Sequence, residues 1–257
     1  MLKGKKIVLG VTGGIAVYKA VDLVSKLRKQ GAEVRVVMTE HAQQFVTPLT
    51  FKEISGNKVA VSMWNANQEF NVEHIALADW ADLFMVVPAT ANIIAKMAYG
   101  IADDLLSTTL LAAHSPVIVC PAMNTHMYEN PATQENIAKI KSRGIVVMPP
   151  ASGVLACGAV GAGRLPEPAD IVNFVKNFFA KTEGDMRGLK VLVTAAGTRE
   201  PIDPVRYVGN RSSGKMGYSI AQAAAERGAE VTLVTGPSAL TPPPNIKVVN
   251  VETTQQM

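Results

Sequence analysis

The stretch that most constrains the fold is Val117–Met127, V-I-V-C-P-A-M-N-T-H-M. It begins as an apolar run, typical of a strand buried on both faces, and breaks at Pro121 into a segment that carries one amide, Asn124. A second run, Phe84–Asn92 (F-M-V-V-P-A-T-A-N), ends in the same way. Because open parallel sheets place ligands outside the carboxyl ends of their strands, we expect the two endings to border one ligand crevice.

The composition favours helices packed on a parallel sheet. Of the 257 residues, 48% are hydrophobic and only 5% aromatic, so the core is built from aliphatic side chains. The net charge of +4 comes without a dense basic run, which argues against a nucleic-acid partner. We expect no membrane partner, because no apolar stretch reaches the length of a span and the N-terminus lacks a signal-peptide ending. Two cysteines, Cys120 and Cys157, give no disulfide framework or metal-ligand spacing, so we expect a reduced, cytoplasmic protein without a metal.

A β-α-β unit is predicted at the start of the chain. Lys6–Val11 is a strand, a helix follows Thr12-Gly13-Gly14 and ends near Lys29, and Ala32–Met38 is the second strand. The two glycines could let a phosphate or a ring approach the helix N-terminus, or could form only a tight connection. Phe45, soon after the second strand, fits either a core position or a ligand contact.

Three later segments carry polar candidates. The irregular stretch between Phe51 and Glu73 predicts a loop, and His74 then begins a predicted helix as a cap, a surface residue or a catalyst. Asp103-Asp104 precede a helix and are interpreted as N-cap residues, since no third metal ligand lies close. The glycine-rich segment Ala151–Pro166 predicts a mobile flap, which makes its Cys157 a candidate functional thiol, whereas Cys120 lies inside a predicted strand.

The opening motif restarts in the second half of the chain. After a polar linker, L-K-V-L-V-T-A-A-G-T matches K-I-V-L-G-V-T-G-G-I in kind, and R-G-A-E-V-T-L-V repeats Q-G-A-E-V-R-V-V. Three strands are predicted here, Lys190–Thr194, Glu230–Thr235 and Ile246–Val251, with an insertion at Arg199–Gly217. We expect a domain over 1–180, a linker over 181–188 and a second, incomplete domain over 189–257, because so few strands do not close a sheet.

Taken together, the motifs resemble a known family. P-A-T-A-N (Pro88–Asn92), P-A-M-N-T-H-M-Y (Pro121–Tyr128), His74 and A-C-G (Ala156–Gly158) resemble the flavin-dependent cysteine decarboxylases. Thr194–Gly217 is similar to the start of phosphopantothenate–cysteine ligase, and the order of motifs resembles the bacterial bifunctional family of coenzyme A biosynthesis. The resemblance implies an α/β fold, a Rossmann-like (flavodoxin-like) doubly wound parallel sheet with helices on both faces. The start of a second Rossmann-like domain would follow.

The resemblance also implies an activity, the FMN-dependent decarboxylation of 4′-phosphopantothenoylcysteine to 4′-phosphopantetheine. It implies that Asn124 holds the substrate carboxylate, that His74 removes a proton and that Cys157 returns one. The FMN contacts implied by the family are Gly13, Gly14, Ile15, Thr39, Phe45, Pro88, Ala89, Thr90, Asn92 and Met123.

For the second half, the resemblance implies a ligase segment that uses CTP and Mg²⁺ when complete. Asn210 matches the catalytic asparagine of that family, and Arg206 and Lys215 lie in its dimer and nucleotide region. Because this half is shorter than the family's ligase, we expect no ligase activity from it. The resemblance further implies a homo-oligomer, trimers grouped into a dodecamer, with each flavin near a subunit contact.

Three alternatives compete with this interpretation. A flavin prenyltransferase shares the fold and the cofactor but needs neither Asn124 in P-A-M-N nor a flap cysteine nor a ligase segment. A regulatory flavoprotein without turnover usually carries acidic tails, which this chain lacks. An NAD-binding oxidoreductase is disfavoured because no G-x-G-x-x-G follows the first strand.

Overall fold

The structure is a computed structural model that describes residues 2–64, 73–154, 160–244 and 246–257. The chain divides into two compact units, residues 1–172 and 173–257. The strands of the first unit are β1 (Lys6–Val11), β2 (Glu33–Met38), β3 (Val59–Ala60), β4 (Leu83–Ala89), β5 (Val117–Pro121), β6 (Val146–Val147), β7 (Ala151–Val154) and β8 (Val160–Arg164). Its helices are α1 (Val17–Lys29), α2 (Glu40–Gln43), α3 (Pro48–Ser55), α4 (Glu73–Trp80), α5 (Ala91–Tyr99), α6 (Leu105–Ala112), α7 (Thr125–Glu129) and α8 (Pro131–Ser142).

The central sheet of the first unit has the order β3-β2-β1-β4-β5-β6, and its strands pair in parallel. The chain leaves β1 in one direction towards β2 and returns on its other side as β4, which places the topological switch point between β1 and β4. Without the two-residue edge strand β3, the order is that of flavodoxin-like sheets. The predicted doubly wound, Rossmann-like fold is confirmed.

Helices cover both faces of this sheet. On one face, α4, α5, α6 and α8 pack on inward side chains of the strands, including Val8, Phe84 and Val119. Helices α1 and α3 lie together against the sheet and contact β2. Because side chains alternate along a strand, the fully buried Ile7 and Leu9 belong to the face opposite Val8. Strand β1 is therefore buried on both sides, which explains its almost continuous apolar sequence.

The predicted loop between Phe51 and Glu73 is wrong in its first part. Residues 48–55 form α3, which begins with Pro48 after Thr47 and ends at Gly56 with φ 69°. A proline in the first turn and a glycine in the left-handed conformation after the last turn are both helix-end signals. Phe51 faces inward from this helix and is fully buried. Residues 65–72 lie outside the described part of the chain.

The predicted flap has regular arms. Strands β7 and β8 pair as an antiparallel hairpin, and residues 155–159, which include Cys157, lie outside the described residues. Helix α9 (Pro168–Glu183) follows the hairpin and ends in the second unit, so residues 181–183 of the expected linker are helical.

The second unit contains the three predicted parallel strands. They are β9 (Lys190–Ala195), β12 (Glu230–Thr235) and β13 (Lys247–Asn250), in the order β13-β12-β9, with helix α10 (Lys215–Glu226) packed on β9 and β12. The insertion forms a hairpin that the sequence did not predict, β10 (Arg199–Pro201) paired with β11 (Tyr207–Gly209).

Candidate functional site

A cavity of about 620 Å³ opens where β1, β4 and β5 end, at the switch point of the sheet. This volume is in the range of small-molecule and cofactor sites. The lining residues come from the loop after β1, the start of α1, the ends of β4 and β5, and the hairpin arm β8. They are Gly13, Gly14, Ile15, Ala16, Tyr18, Lys19, Pro88, Thr90, Ala91, Ala122, Met123, Asn124, Met127, Gly163, Arg164 and Leu165.

One buried hydroxyl joins the ends of β1 and β4. The Thr12 hydroxyl donates to the Pro88 carbonyl oxygen at 2.7 Å and accepts from the Thr90 backbone N–H at 3.2 Å. Thr90 in turn caps α5, since its hydroxyl oxygen accepts from the Ile93 N–H. The Thr12 hydroxyl thereby holds the end of β1, which is followed by two glycines, beside the end of β4, which contains Pro88. Together the two strand ends form one edge of the cavity.

The glycine loop after β1 is shaped for close approach of a ligand. A β-carbon at Gly13 would lie 2.5 Å from the Cβ atom of His41, so this position has no room for a side chain. A β-carbon at Gly14 would meet open space. Helix α1 begins at Val17, and its first turn has neither a side-chain cap nor an acidic residue. The Val17 and Lys19 N–H groups donate to the Gly14 and Ala16 carbonyl oxygens, so this N-terminus offers an anionic ligand in the cavity mainly its partial positive charge.

The end of β5 contributes Asn124, as the sequence predicts. Asn124 is the N-cap of α7, and its Oδ1 atom accepts from the His126 N–H at 2.9 Å. This bond limits rotation of the amide, and both Asn124 and the neighbouring Met123 line the cavity. The Met123 N–H donates to the Gly163 carbonyl oxygen at 3.0 Å, which ties the hairpin to the strand end. A β-carbon at Gly163, whose φ is 131°, would lie 2.3 Å from the Met123 oxygen, so the close approach requires glycine.

Two cations on the wall of the cavity were not identified from the sequence. Lys19 is 6% exposed, and its Nζ donates to the Leu165 carbonyl oxygen at 3.1 Å and to Glu167 Oε1 at 2.9 Å. Arg164 Nη2 lies 2.7 Å from the same Oε1 atom. The hydrogen bond from Lys19 lowers the pKa of Glu167. The available sequence signal is the place of Lys19 on the apolar face of α1, one turn before the buried Leu23.

The structure brings together six of the predicted cofactor residues and one predicted catalytic residue. Those that line the cavity are Gly13, Gly14, Ile15, Pro88, Thr90, Met123 and Asn124. Ala89 is buried in β4, and Thr39 caps α2. Phe45, 52% exposed, and Asn92, also exposed, do not line the cavity of the single chain.

The predicted catalytic His74 lies in the first turn of α4, in the helix layer that covers Val8, and does not line this cavity. Cys157 lies outside the described residues. Cys120 is fully buried in β5, as expected, and burial raises the pKa of its thiol to about 12. Asp104 caps α6, as the sequence predicts, and no group of three metal-ligating side chains occurs in the described ranges.

The three residues predicted for a ligase segment lie in the second unit. Asn210 Oδ1 accepts from the Ser212 N–H at 2.9 Å and lies against Gly197. Arg206 is exposed and pairs with Asp203, with Nη2 and Oδ2 2.6 Å apart. Lys215 is the exposed first residue of α10. Across the described parts of both units, no helix combines the length and the hydropathy needed to cross a membrane.

Curated relatives match the whole chain but are longer. The coenzyme A biosynthesis bifunctional protein CoaBC of Escherichia coli (strain K12) is 51% identical over 256 residues, which is 100% of this chain and 63% of that protein. The protein of the same name from Bacillus subtilis (strain 168) is 50% identical over 244 residues, 95% of this chain and 60% of that one. The chain thus spans 60–63% of the length of these two relatives.

Solved structures match somewhat more than two thirds of the chain. A mutant of PPC decarboxylase in complex with pantothenoylaminoethenethiol superimposes with a TM-score of 0.61 at 32% identity, over 68% of this chain and 98% of that one. The FMN binding protein AtHal3 superimposes with a TM-score of 0.60 at 31% identity, over 69% of this chain and 97% of that one.

Two family models match the chain, one for each part. The C-terminal domain of DNA/pantothenate metabolism flavoproteins matches residues 186–257. The flavoprotein family matches residues 1–180, which contain the sheet, the cavity and the hairpin. Together with the related structures, this match shows that the chain belongs to the flavoprotein family.

Proposed function

We propose that the first unit binds FMN and decarboxylates 4′-phosphopantothenoylcysteine to 4′-phosphopantetheine, a step of coenzyme A biosynthesis. The observation that carries the proposal is the position of Asn124 on the wall of a cofactor-sized cavity, beside an uncapped helix N-terminus. The similarity to bifunctional CoaBC proteins and to a PPC decarboxylase supports the same reaction.

The residues of the cavity fit FMN. The partial positive charge at the start of α1, with the open space at Gly14, suits the FMN phosphate. The apolar Ile15 and Met123 and the polar Thr90 suit the faces and the edge of a flat ring system. When bound, FMN supplies an acceptor for two electrons from the cysteine side chain of the substrate and later returns them, which makes loss of CO2 possible.

Asn124 is proposed to hold the carboxylate that leaves as CO2. Its side chain is fixed by the bond between Oδ1 and the His126 N–H. A neutral amide can orient a carboxylate without stabilising its charge as strongly as a cation does, so the departure of CO2 is not opposed. The absence of acidic side chains from the described lining of the cavity favours binding of an anionic substrate.

His74 and Cys157 are proposed as the proton-transfer residues. An imidazole suits the removal of a proton near neutral pH, and a thiol suits the return of a proton to the product carbon. Because His74 does not line the cavity of its own chain, we propose that a second copy supplies it and that the protein is a homo-oligomer, a trimer or trimers grouped into a dodecamer. Thr39, Phe45, Ala89 and Asn92 remain proposed FMN contacts in such an assembly.

The second unit is proposed to be part of a CTP- and Mg²⁺-dependent phosphopantothenate–cysteine ligase. Its similarity to the C-terminal domain of pantothenate metabolism flavoproteins supports this assignment. We propose Asn210 as its catalytic asparagine, and Arg206 and Lys215 as nucleotide or dimer contacts. The proposed domains are 1–180 and 189–257, with 181–188 between them, and the proposed compartment is the cytoplasm.

The test is a decarboxylation assay with the purified chain. We expect a yellow protein that releases FMN on denaturation. Under anaerobic conditions it should convert phosphopantothenoylcysteine to phosphopantetheine and CO2 over many cycles without added reductant. A requirement for NADPH would contradict the redox-neutral reaction, and FMN binding without any CO2 release would favour a regulatory flavoprotein.

A further inference from the structure

Two cations that line the cavity, together with a carboxylate outside its lining, form a charged cluster that has no role in the function proposed above. It consists of Lys19, Arg164 and Glu167, in which a single carboxylate oxygen accepts from both cations, at 2.9 Å and 2.7 Å. The first cation is buried and its Nζ is also bonded to the Leu165 carbonyl oxygen. Two positive charges thus share one negative charge, which leaves the wall with a surplus positive charge.

Arg164 is the member of the cluster that a ligand can reach. It lines the cavity, and its side chain is 45% exposed. The backbone is fastened on both sides of it, because the Gly163 oxygen accepts from the Met123 N–H and the Leu165 oxygen accepts from Lys19. The guanidinium lies beside Gly153 of the opposite strand, where a β-carbon would be in van der Waals contact with Nη1, at 3.6 Å.

The chemistry of this group suits a phosphate. A guanidinium is planar and carries five N–H donors, and the bond to Glu167 engages one of its nitrogens. Its fork geometry binds phosphate oxygens in pairs, with charge-assisted hydrogen bonds. Lys19 is less suited to contact a ligand, because it is buried and already bonded to two acceptors inside the wall.

The substrate of the proposed function has two anionic ends with different requirements. The carboxylate disappears in the reaction, so a strong cation beside it would oppose the chemistry. The phosphate is unchanged throughout, so a strong contact there adds affinity without stabilising the ground state of the reacting group. We propose that Arg164 binds the phosphate monoester of the substrate and determines specificity for it, and that Lys19 and Glu167 are positioning residues. This inference rests on the proposed function.

The test compares the phosphorylated substrate with its dephosphorylated analogue, pantothenoylcysteine. The parent should prefer the phosphorylated form in kcat/KM. Arg164→Gln should lower kcat/KM for that form about 10- to 100-fold, mainly through KM, since a hydrogen bond to a charged group contributes about 1.5–3 kcal/mol. The kcat/KM of Arg164→Gln for pantothenoylcysteine should equal the parent's. The matched control is Arg143→Gln, whose guanidinium bonds to the Met97 carbonyl oxygen away from the cavity and should alter neither value.

A binding measurement separates the two possible phosphates. The dissociation constant of phosphopantetheine should rise in Arg164→Gln, that of pantetheine should not, and the FMN content should equal the parent's. Loss of FMN with the substrate preference retained would assign the guanidinium to the cofactor phosphate and overturn the proposal. Lys19→Gln should weaken the preference for the phosphorylated substrate, as Arg164→Gln does. Lys19→Arg, which keeps the positive charge, should retain part of that preference.

Failure of the inference and failure of the proposed function are distinguishable. A parent protein that decarboxylates both substrates equally well would overturn the role of Arg164 alone, as would an Arg164→Gln variant that keeps the full preference. A parent protein that releases CO2 from neither substrate would overturn the proposed function, and with it this inference.

Discussion

The two β-α-β units of the chain share a sequence pattern but differ in burial. In both, a Gly-Ala-Glu segment (Gly31–Glu33 and Gly228–Glu230) leads into the second strand. The pairings Lys6↔Glu33 and Lys190↔Glu230 place β1 and β9 in the same register. Val8 is then equivalent to Leu192, and Leu9 to Val193.

One face of the strand is covered in both units, and the other face in only one. Leu9 and Val193 are both buried, and the latter packs with the inward side of α10. Val8 is 0% exposed beneath α4, α5, α6 and α8, whereas Leu192 is 68% exposed. The repeated sequence therefore encodes the local β-α-β unit, while burial of the second face depends on elements distant in sequence.

The loops that follow β1 and β9 also differ in what they contact. By register, Thr12-Gly13-Gly14 is equivalent to Ala196-Gly197-Thr198. The first loop opens onto the cavity. The second is closed by a side chain, since a β-carbon at Gly197 would lie 2.2 Å from Asn210 Oδ1. The same type of loop thus borders a cavity in one unit and packs against a side chain in the other.

The largest effect is expected from a charge placed in the open cavity. Asn124→Asp should lower turnover about 100-fold or more, because two carboxylates a few ångströms apart in a poorly solvated site repel each other. FMN should stay bound, as measured by flavin absorbance. Aspartate is also a good N-cap, so α7 should persist.

Asn130→Asp is the matched control for that variant. Asn130 caps α8 through the same type of bond, from the Ala132 N–H to Oδ1 at 3.0 Å, and does not line the cavity. Its turnover should equal the parent's. Normal turnover by a yellow Asn124→Asp protein would remove Asn124 from the carboxylate site.

The next effect distinguishes the open loop from the closed one. Gly14→Val should leave the stability of the flavin-free protein nearly unchanged, because the new side chain enters open space. It should weaken FMN binding by at least about 10-fold, because it occupies volume that the ligand needs and 1.4 kcal/mol corresponds to a factor of ten. Fluorescence titration with FMN measures this affinity.

Gly197→Ala should show the opposite behaviour. The added methyl group meets the Asn210 side chain, which should cost about 1–3 kcal/mol of stability in the second unit. FMN affinity should not change. Equal FMN affinity in the parent and in Gly14→Val would contradict the assignment of the open loop to the cofactor.

A smaller effect tests the difference in burial between the equivalent strand positions. Val8→Ala should lower the free energy of unfolding of the first unit by about 2 kcal/mol, from lost apolar burial and a residual cavity. Leu192→Ala should change that of the second unit by less than about 0.5 kcal/mol, as is usual for exposed positions. Urea unfolding, followed by probes specific to each unit, gives both values. Similar losses of unfolding free energy in Val8→Ala and Leu192→Ala would show that the second face of β9 is covered in solution.

The smallest effect concerns ion pairs and pH. Burial disfavours ionisation of Asp104, but the bonds from Lys96 and Ser107 outweigh it, so the pKa of Asp104 is lowered from its ordinary value of 3.8. A lowered folded-state pKa means that the ionised form stabilises the fold above the ordinary value, and that this contribution is lost as the pH falls through the lowered one.

Asp104→Asn should therefore cost about 1 kcal/mol at pH 7 and progressively less below pH ~3.8. In the second unit, Asp185→Asn removes the exposed pair with Arg227 and should cause a smaller change at neutral pH. Chemical unfolding at pH 7 and pH 3 checks both variants. If the loss of unfolding free energy in Asp104→Asn does not depend on pH, the proposed role of the Asp104 charge is contradicted.

The features predicted correctly are those encoded by neighbouring residues. The ends of β4 and β5 are visible because an apolar run reaches a proline, Pro88 or Pro121, and small or polar residues follow. Parallel topology then brings such ends to one edge of the sheet, so the sequence alone predicts both the cavity and the place of Asn124 beside it.

The features that were missed depend on long-range contacts or on weak local signals. Lys19 and Glu167 are 148 residues apart, so no local pattern identifies their ion pair. Helix α3 was missed because its polar residues hid the cap signals at Pro48 and Gly56. The position of His74 relative to the cavity depends on how α4 packs against elements distant in sequence, which a linear pattern does not specify.

The burial of Cys120 has a practical consequence for following the other thiol of the chain. Because its sulfhydryl is enclosed in β5 and its pKa is raised to about 12, it stays protonated and shielded from reagents at neutral pH. The sequence contains two cysteines, so a thiol-reactive label taken up by the folded protein reports on Cys157 alone. In the wild-type chain, Cys120 becomes reactive only when the sheet unfolds, so its labelling reports on unfolding of β5.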